Sequence, residues 1–252
     1  MARQEGIIPL RGTIGNITFI KRKDGTYLAQ SKTSVDKQRI HNDPSFQRTR
    51  ENNREFRNAA TAASLLRAAA RLLLQNVKDN TIQYRLFTIM MSVLKADSTS
   101  ARGERNVTNG MAELLEGFDC NRNASLKTTL YKNYTATINR VTGDLNVNVP
   151  ALVPYQHVVA PEGTTHFCIV SGGYEIDFAN GTYINHESSS AVMPLDTTPM
   201  APLTLTHNMT ANSTLPLFVL LGIQFFQEVN GVKYPLLDGQ FSALSIVKVE
   251  GV

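Results

Sequence analysis

The hydrophobic period of this chain switches from helical to strand spacing near Leu126, and that change limits the fold more than any other feature. Before it, apolar and small residues recur at helical spacing: Phe46, Phe56, Ala60, Ala63, Leu66, Ala70 and Leu73. After it, apolar residues alternate with Thr, Asn, Glu or Lys, the period of a half-exposed strand. A chain patterned in this way is expected to be α+β, with helices and strands segregated along the sequence. Its 252 residues suffice to bury a core.

The segment before the helices reads as a β-hairpin over residues 11–31. Ile14, Ile17 and Phe19 form one strand, Lys23-Asp24-Gly25 turns the chain, and Thr26 to Ala29 return. Residues 32–42 are polar and read as a linker. Asp43 followed by Pro44 predicts a helix start, because Asp can accept the free amides and Pro suits the first helical position. The first helix is expected to reach about Gln75, a second to span about 80–95 and a third about 104–116, with Gly110 weakening the last.

Beyond Leu126, the alternation in Tyr131 to Ile138, Leu145 to Val149, His166 to Val170, Tyr174 to Phe178 and Leu203 to Thr210 predicts strands. The Gly172-Gly173 pair fits a bulge or kink. Leu217 to Phe226 is apolar almost throughout, as a central strand covered on both faces would be. Asn230-Gly231 is a hairpin turn signal, and Phe241 to Val249 forms a last strand close to the chain end. The expected architecture is an N-terminal β-hairpin and helical region followed by a C-terminal antiparallel β-sandwich, Ig-like or similar. The corresponding divisions are 1–31, 32–125 and 126–252.

Charge is split unevenly. Residues 1–100 carry 17 Lys/Arg against 8 Asp/Glu, and residues 101–252 carry 8 against 13. Such a dipolar chain can meet copies of itself basic end to acidic end. Arg50, Arg54, Arg57 and Arg71 fall near one stripe of the first helix and are the candidate basic face, with nucleic acid as the alternative partner. Glu51 and Glu55 are expected to interrupt that field.

No motif for catalysis stands out. Gly-x-Ser-x-Gly, Gly-x-Gly-x-x-Gly and the phosphate-loop pattern are missing, as are the close His and Cys spacings of a zinc site. His166, Cys168 and His207 could at most share a site across strands. Glu175 and Asp177 are expected on a solvent face. Cys120 and Cys168 are expected to be buried free thiols. No cofactor or metal is expected. No run reaches the length of a membrane span, and no Sec-type signal opens the chain, so synthesis in the cytoplasm is expected. An extracellular or particle-associated end point after assembly or release is compatible with that.

The run Gly6-Ile7-Ile8-Pro9-Leu10-Arg11-Gly12-Thr13-Ile14-Gly15-Asn16-Ile17-Thr18-Phe19 and the run Asn42-Asp43-Pro44-Ser45-Phe46-Gln47-Arg48-Thr49-Arg50 resemble a group of uncharacterised proteins from Bacteroidota. Pro161 to Phe167, Glu175 to Phe178 and Leu221 to Gly231 are similar too. The resemblance implies the same layout of hairpin, helices and β-domain, and it transfers no functional residues.

From the residues, the expectation is a non-enzymatic structural protein whose partners are copies of itself, in a filament, tube or phage-like particle. Ile14, Ile17, Phe19 and Leu28 are the candidate assembly arm, because a two-stranded hairpin cannot bury its own apolar side chains.

Overall fold

The computed structural model describes residues 2–3, 10–31 and 37–252, which form two compact units, 1–50 and 51–252. The first unit is a small antiparallel sheet of β1 (Ala2–Arg3), β2 (Gly12–Ile14), β3 (Ile17–Lys21) and β4 (Tyr27–Ser31), in the order β1-β4-β3-β2. The expected single strand from Ile14 to Phe19 is broken by a two-residue turn at Gly15-Asn16, with Gly15 at φ 57, so that Ile14 pairs directly with Ile17. The turn at Lys23-Asp24-Gly25 is as expected: the Asp24 carboxylate accepts from both the amide and the hydroxyl of Thr26. Of the expected linker, residues 32–36 lie outside the described residues, and Lys37–Asn42 form a short helix, α1.

The helix start is capped as its sequence implies. Asp43 Oδ1 accepts from the Ser45 amide at 2.9 Å, and Pro44 opens a single 3-10 turn that leads into α2 (Gln47–Ala69). The first helix breaks at Ala70 and resumes as the single turn α3 (Arg71–Leu74). The second expected helix is α4 (Ile82–Lys95).

The third expected helix does not form. Residues 96–111 are irregular, and only Ala112–Leu115 make a 3-10 turn. Two local causes act against a helix. A Cβ at Gly110 would run into the Val93 carbonyl. The buried Asp97 carboxylate gathers the amides of Thr99, Ser100 and Asn106, which fixes the segment as a loop. Burial alone would raise the Asp97 pKa, but these hydrogen bonds outweigh it and hold the carboxyl below its ordinary range.

The β-region follows one helical turn, α5 (Leu126–Thr129), and contains a second between strands, α6 (Pro154–His157). Its strands are β5 (Thr135–Asn139), β6 (Asp144–Val149), β7 (His166–Asp177), β8 (Thr182–Ser189), β9 (Met193–Pro194), β10 (Leu203–Asn208), β11 (Leu217–Val229), β12 (Val232–Pro235) and β13 (Ala243–Glu250). The larger sheet is built on β7 and β11, paired over ten residues from Leu217↔Glu175 to Phe226↔His166. β8 and β9 flank β7, while β13 and β12 flank β11. The smaller sheet has the order β10-β6-β5, and every pairing is antiparallel.

The larger sheet is a middle layer. Alternate side chains of β11, from Leu217 through Val219, Leu221 and Ile223 to Phe225, pack with Leu145, Val147, Val149 and Leu205 of the smaller sheet. The intervening Phe218 and Leu220 pack with Ala59, Ala63, Leu66, Met90 and Leu94 of the helices. Burial on both faces explains why this strand is apolar at nearly every position. Between Val219 and Leu220 the register with β13 slips past Val247, which shifts the alternation so that Leu244, Ile246 and Val249 all meet the helices. The expected bulge at Gly172-Gly173 is not there, since β7 runs through both without a register shift. The glycines serve packing instead. A Cβ at Gly172 would strike the Tyr174 ring, and one at Gly173 would lie 2.6 Å from His207 Cβ.

Candidate functional site

Among the described side chains of the first unit none is buried. The register of its sheet sorts the apolar residues into faces. Ile14 pairs with Ile17, and Phe19 pairs with Ala29, so Ile14, Ile17, Phe19 and Ala29 share one face with Tyr27. Leu28 pairs with Ile20 and points to the other face, beside the hydrogen-bonded Thr13 and Thr18. The four residues expected to act together are therefore divided three to one. Phe19 and Leu28 are half-buried, while Ile14 is 62% and Ile17 46% exposed. Lys21 lies over the Tyr27 ring, 5.4 Å from its centroid. The unit carries 10 Lys/Arg against 4 Asp/Glu, and residues 51–252 carry 15 against 17, so the positive charge concentrates on this small sheet and its following helix.

The candidate basic face is divided as well. Arg50 is spent within the first unit, where its guanidinium donates to the carbonyls of Ile40 and Asp43 at 2.8 and 2.9 Å. Arg54 and Arg57 are exposed on α2, and Arg71 stands beyond the break, on α3. Glu51 and Glu55 do not interrupt them. They lie about a third of a turn round the helix and are buried, 6% and 4% exposed. Glu55 Oε1 accepts from the Gly103 amide at 2.8 Å, with Arg105 Nε 3.9 Å away. Arg102 Nε stands 3.7 Å from Glu51 Oε2, and its Nη2 donates to Asn52. These two carboxylates hold the 97–110 loop against the helix. The sequence carried one hint of this: both acids share the side of the helix occupied by Ala59, Ala62 and Leu66.

Between the two sheets lies a polar cluster that no sequence motif marked. The Ser171 hydroxyl donates to the Leu220 carbonyl at 2.8 Å, and His207 Nε2 stands 2.9 Å from Ser171 Oγ. With its proton committed to the carbonyl, Ser171 accepts from His207 Nε2–H, which defines the tautomer. Burial first, and then the nearby His186, hold the His207 pKa down at about 4, so the ring is neutral. The pair has the spacing of a nucleophile and base, but both side chains are shut between the sheets and the hydroxyl proton points elsewhere. Its chemistry is that of a satisfied core polar pair.

Other expected groupings separate. His207 projects from the smaller sheet onto one face of the larger sheet, whereas Cys168 lies on the opposite face, against the helices, so the two do not share a site. His166 contacts Glu228 across the strand pair at 3.4 Å. Among the described residues no group of three or more His, Cys, Asp or Glu could hold a metal. Glu175 is not on a solvent face. It is buried and accepts from Ser213 Oγ and the Thr210 amide, while Asp177 ends β7 and caps the Ala179 and Asn180 amides. Cys120 and Cys168 are free and buried, and burial pushes their thiols up to about 12 and about 11.

No described helix is long and apolar enough to cross a membrane. Comparison of the chain with protein families, with curated proteins and with solved structures finds no match.

Proposed function

We propose that this is a structural protein that assembles with copies of itself, and that the N-terminal sheet is the contact. The observation that carries this reading is the sheet face of Ile14, Ile17 and Phe19, in a unit where no described side chain is buried. A few strands hold together in water only when one face is covered. Exposed isoleucines and the unpaired backbone groups of a sheet edge invite pairing with another chain. The positive charge of the unit is opposite in sign to residues 101–252 of a neighbouring copy, which carry 8 Lys/Arg against 13 Asp/Glu, and a contact between unlike surfaces propagates into a filament or tube when it does not close.

The test is the size of the full-length protein by light scattering and negative-stain microscopy, beside an Ile14→Lys/Ile17→Lys variant and a deletion of residues 1–31. Particles are expected from the native chain only, with the melting of the 51–252 unit unchanged in the variants. A native protein that stays monomeric at high concentration, or an unchanged particle in the double variant, overturns the reading. A second reading, nucleic-acid binding, draws on the exposed Arg54 and Arg57, which no carboxylate neutralises in the described structure. Tight binding that falls steeply with salt in a gel-shift titration would favour it over assembly.

A further inference from the structure

Arg67 and Arg71 stand four residues apart across the break between α2 and α3, on one side of the helical path. With Gln75 a further turn on, they line a cavity of about 340 Å³ whose other walls include Leu74, Asp79 and Cys120. Asp79 brings a negative charge, but its oxygens are already occupied. Oδ1 accepts from the Thr81 amide and hydroxyl, and Oδ2 accepts from Arg85 at 2.6 Å and from the Arg122 amide. Asp119, close by, is turned to the Leu126 amide. Neither Arg67 nor Arg71 has an acid or a hydrogen-bond acceptor among the described residues, and Arg67 Nε is buried without one. That Nε is closed off by the chain itself, so an acceptor from outside would meet the terminal nitrogens of the two guanidinium groups, which line the cavity.

We infer that this cavity binds a small phosphate-type dianion, held by the guanidinium groups of Arg67 and Arg71 with the Gln75 amide beside them. Each guanidinium presents a planar fork of N–H donors that matches two oxygens of one anion. A single carboxylate satisfies one fork, whereas a tetrahedral dianion offers enough oxygens and charge for both. The cavity lies within the size range of small-ligand sites, and Leu74 gives it an apolar wall, so a phosphate monoester with a small organic group fits as well as free phosphate. The site uses none of the residues of the proposed assembly surface.

Calorimetric titration of the full-length protein at constant ionic strength tests this, with inorganic phosphate and glycerol 3-phosphate as probes. Saturable binding of one equivalent by either probe is expected, and the tighter of the two distinguishes free phosphate from a monoester. Arg71 is exposed, so Arg71→Gln leaves the fold intact and is expected to weaken binding about tenfold, the loss of one charge-assisted pair. Arg67→Lys keeps the charge but loses the fork and is expected to weaken binding too. Arg54→Gln/Arg57→Gln, on the same helix, is expected to bind like the native protein. Absence of saturable binding at millimolar probe overturns the inference. So does an Arg54/Arg57 variant that loses as much affinity as the Arg71 variant, because the effect would then be diffuse attraction to a basic surface.

Discussion

Replacing Arg140 by Met should destabilise the β-region more than any surface substitution. Arg140 follows β5, and its guanidinium gathers the end of the chain. Nε donates to Glu250 Oε1 at 2.9 Å. Nη1 donates to the carbonyls of Ser213 and Leu215 at 2.7 and 2.9 Å. Nη2 donates to those of Glu250 and Gly251 at 3.2 and 2.6 Å. The four carbonyls come from the chain leading into β11 and from the end of β13, so one side chain ties the last strand and the central strand to β5. A hydrogen bond from a charged donor is worth about 1.5–3 kcal/mol, but the site is partly open and the freed carbonyls regain water. The Glu250 ion pair is partly exposed and adds at most about 1 kcal/mol. We expect a net loss of about 3 kcal/mol for Arg140→Met. In a unit of this size that lowers Tm by roughly 6–12 °C. Calorimetry and urea unfolding measure it, with Glu250→Gln as the comparison, expected to cost about 0.5 kcal/mol. If Glu250→Gln cost as much as Arg140→Met, the ion pair and not the carbonyl cluster would hold the strand. If Arg140→Met cost under about 1 kcal/mol, the clamp argument would fail.

Two other perturbations follow from the same packing. His207 is held neutral in the fold, with its pKa down at about 4 against about 6.5 in the unfolded chain. The unfolded state therefore binds the extra proton first, and stability present above pH 6.5 should fall between pH 6.5 and 4, by up to about 3 kcal/mol. His207→Gln should flatten that segment of the urea-derived profile, and an unchanged slope would assign the loss to other groups. Below about pH 4 a separate loss is expected, as Asp79 and Asp97, both held below the ordinary carboxylate range, take up protons. Glu55→Ala should release the Gly103 amide and leave Arg105 facing an empty position. Hydrogen exchange should then speed up across residues 97–110 with a cost of about 2 kcal/mol, and exchange confined to native rates would refute the tether.

Several elements were legible in the residues because their causes are local or periodic. Asp43-Pro44 caps and starts a helix through its own atoms. Asn230-Gly231 turns a hairpin because both residues accept positive φ, 52 and 78 here, and Val229 then meets Val232. The unbroken apolar run of β11 foretold burial on both faces, since no half-exposed strand would carry it. The N-terminal arm was recognisable as a sheet, but its register was not. Gly15-Asn16 inserted a turn that moved Ile14 and Ile17 into register and left Leu28 on the opposite face.

The remaining features depend on partners distant in sequence. Glu51 and Glu55 read as solvated charges on a basic helix, and become buried acceptors because the 97–110 loop folds over them. Residues 104–116 read as a helix, but the Val93 carbonyl takes the space beside Gly110. Glu175 alternates like a surface residue, yet it is sealed beneath the smaller sheet by Ser213 and Thr210. The Arg67–Arg71 cavity exists only where the helix end meets the segment around Asp79 and Cys120. Local pattern states how often a side chain must be buried. It does not state which distant backbone will cover a given polar group, and the cost of leaving such a group unpaired is settled only when that backbone arrives.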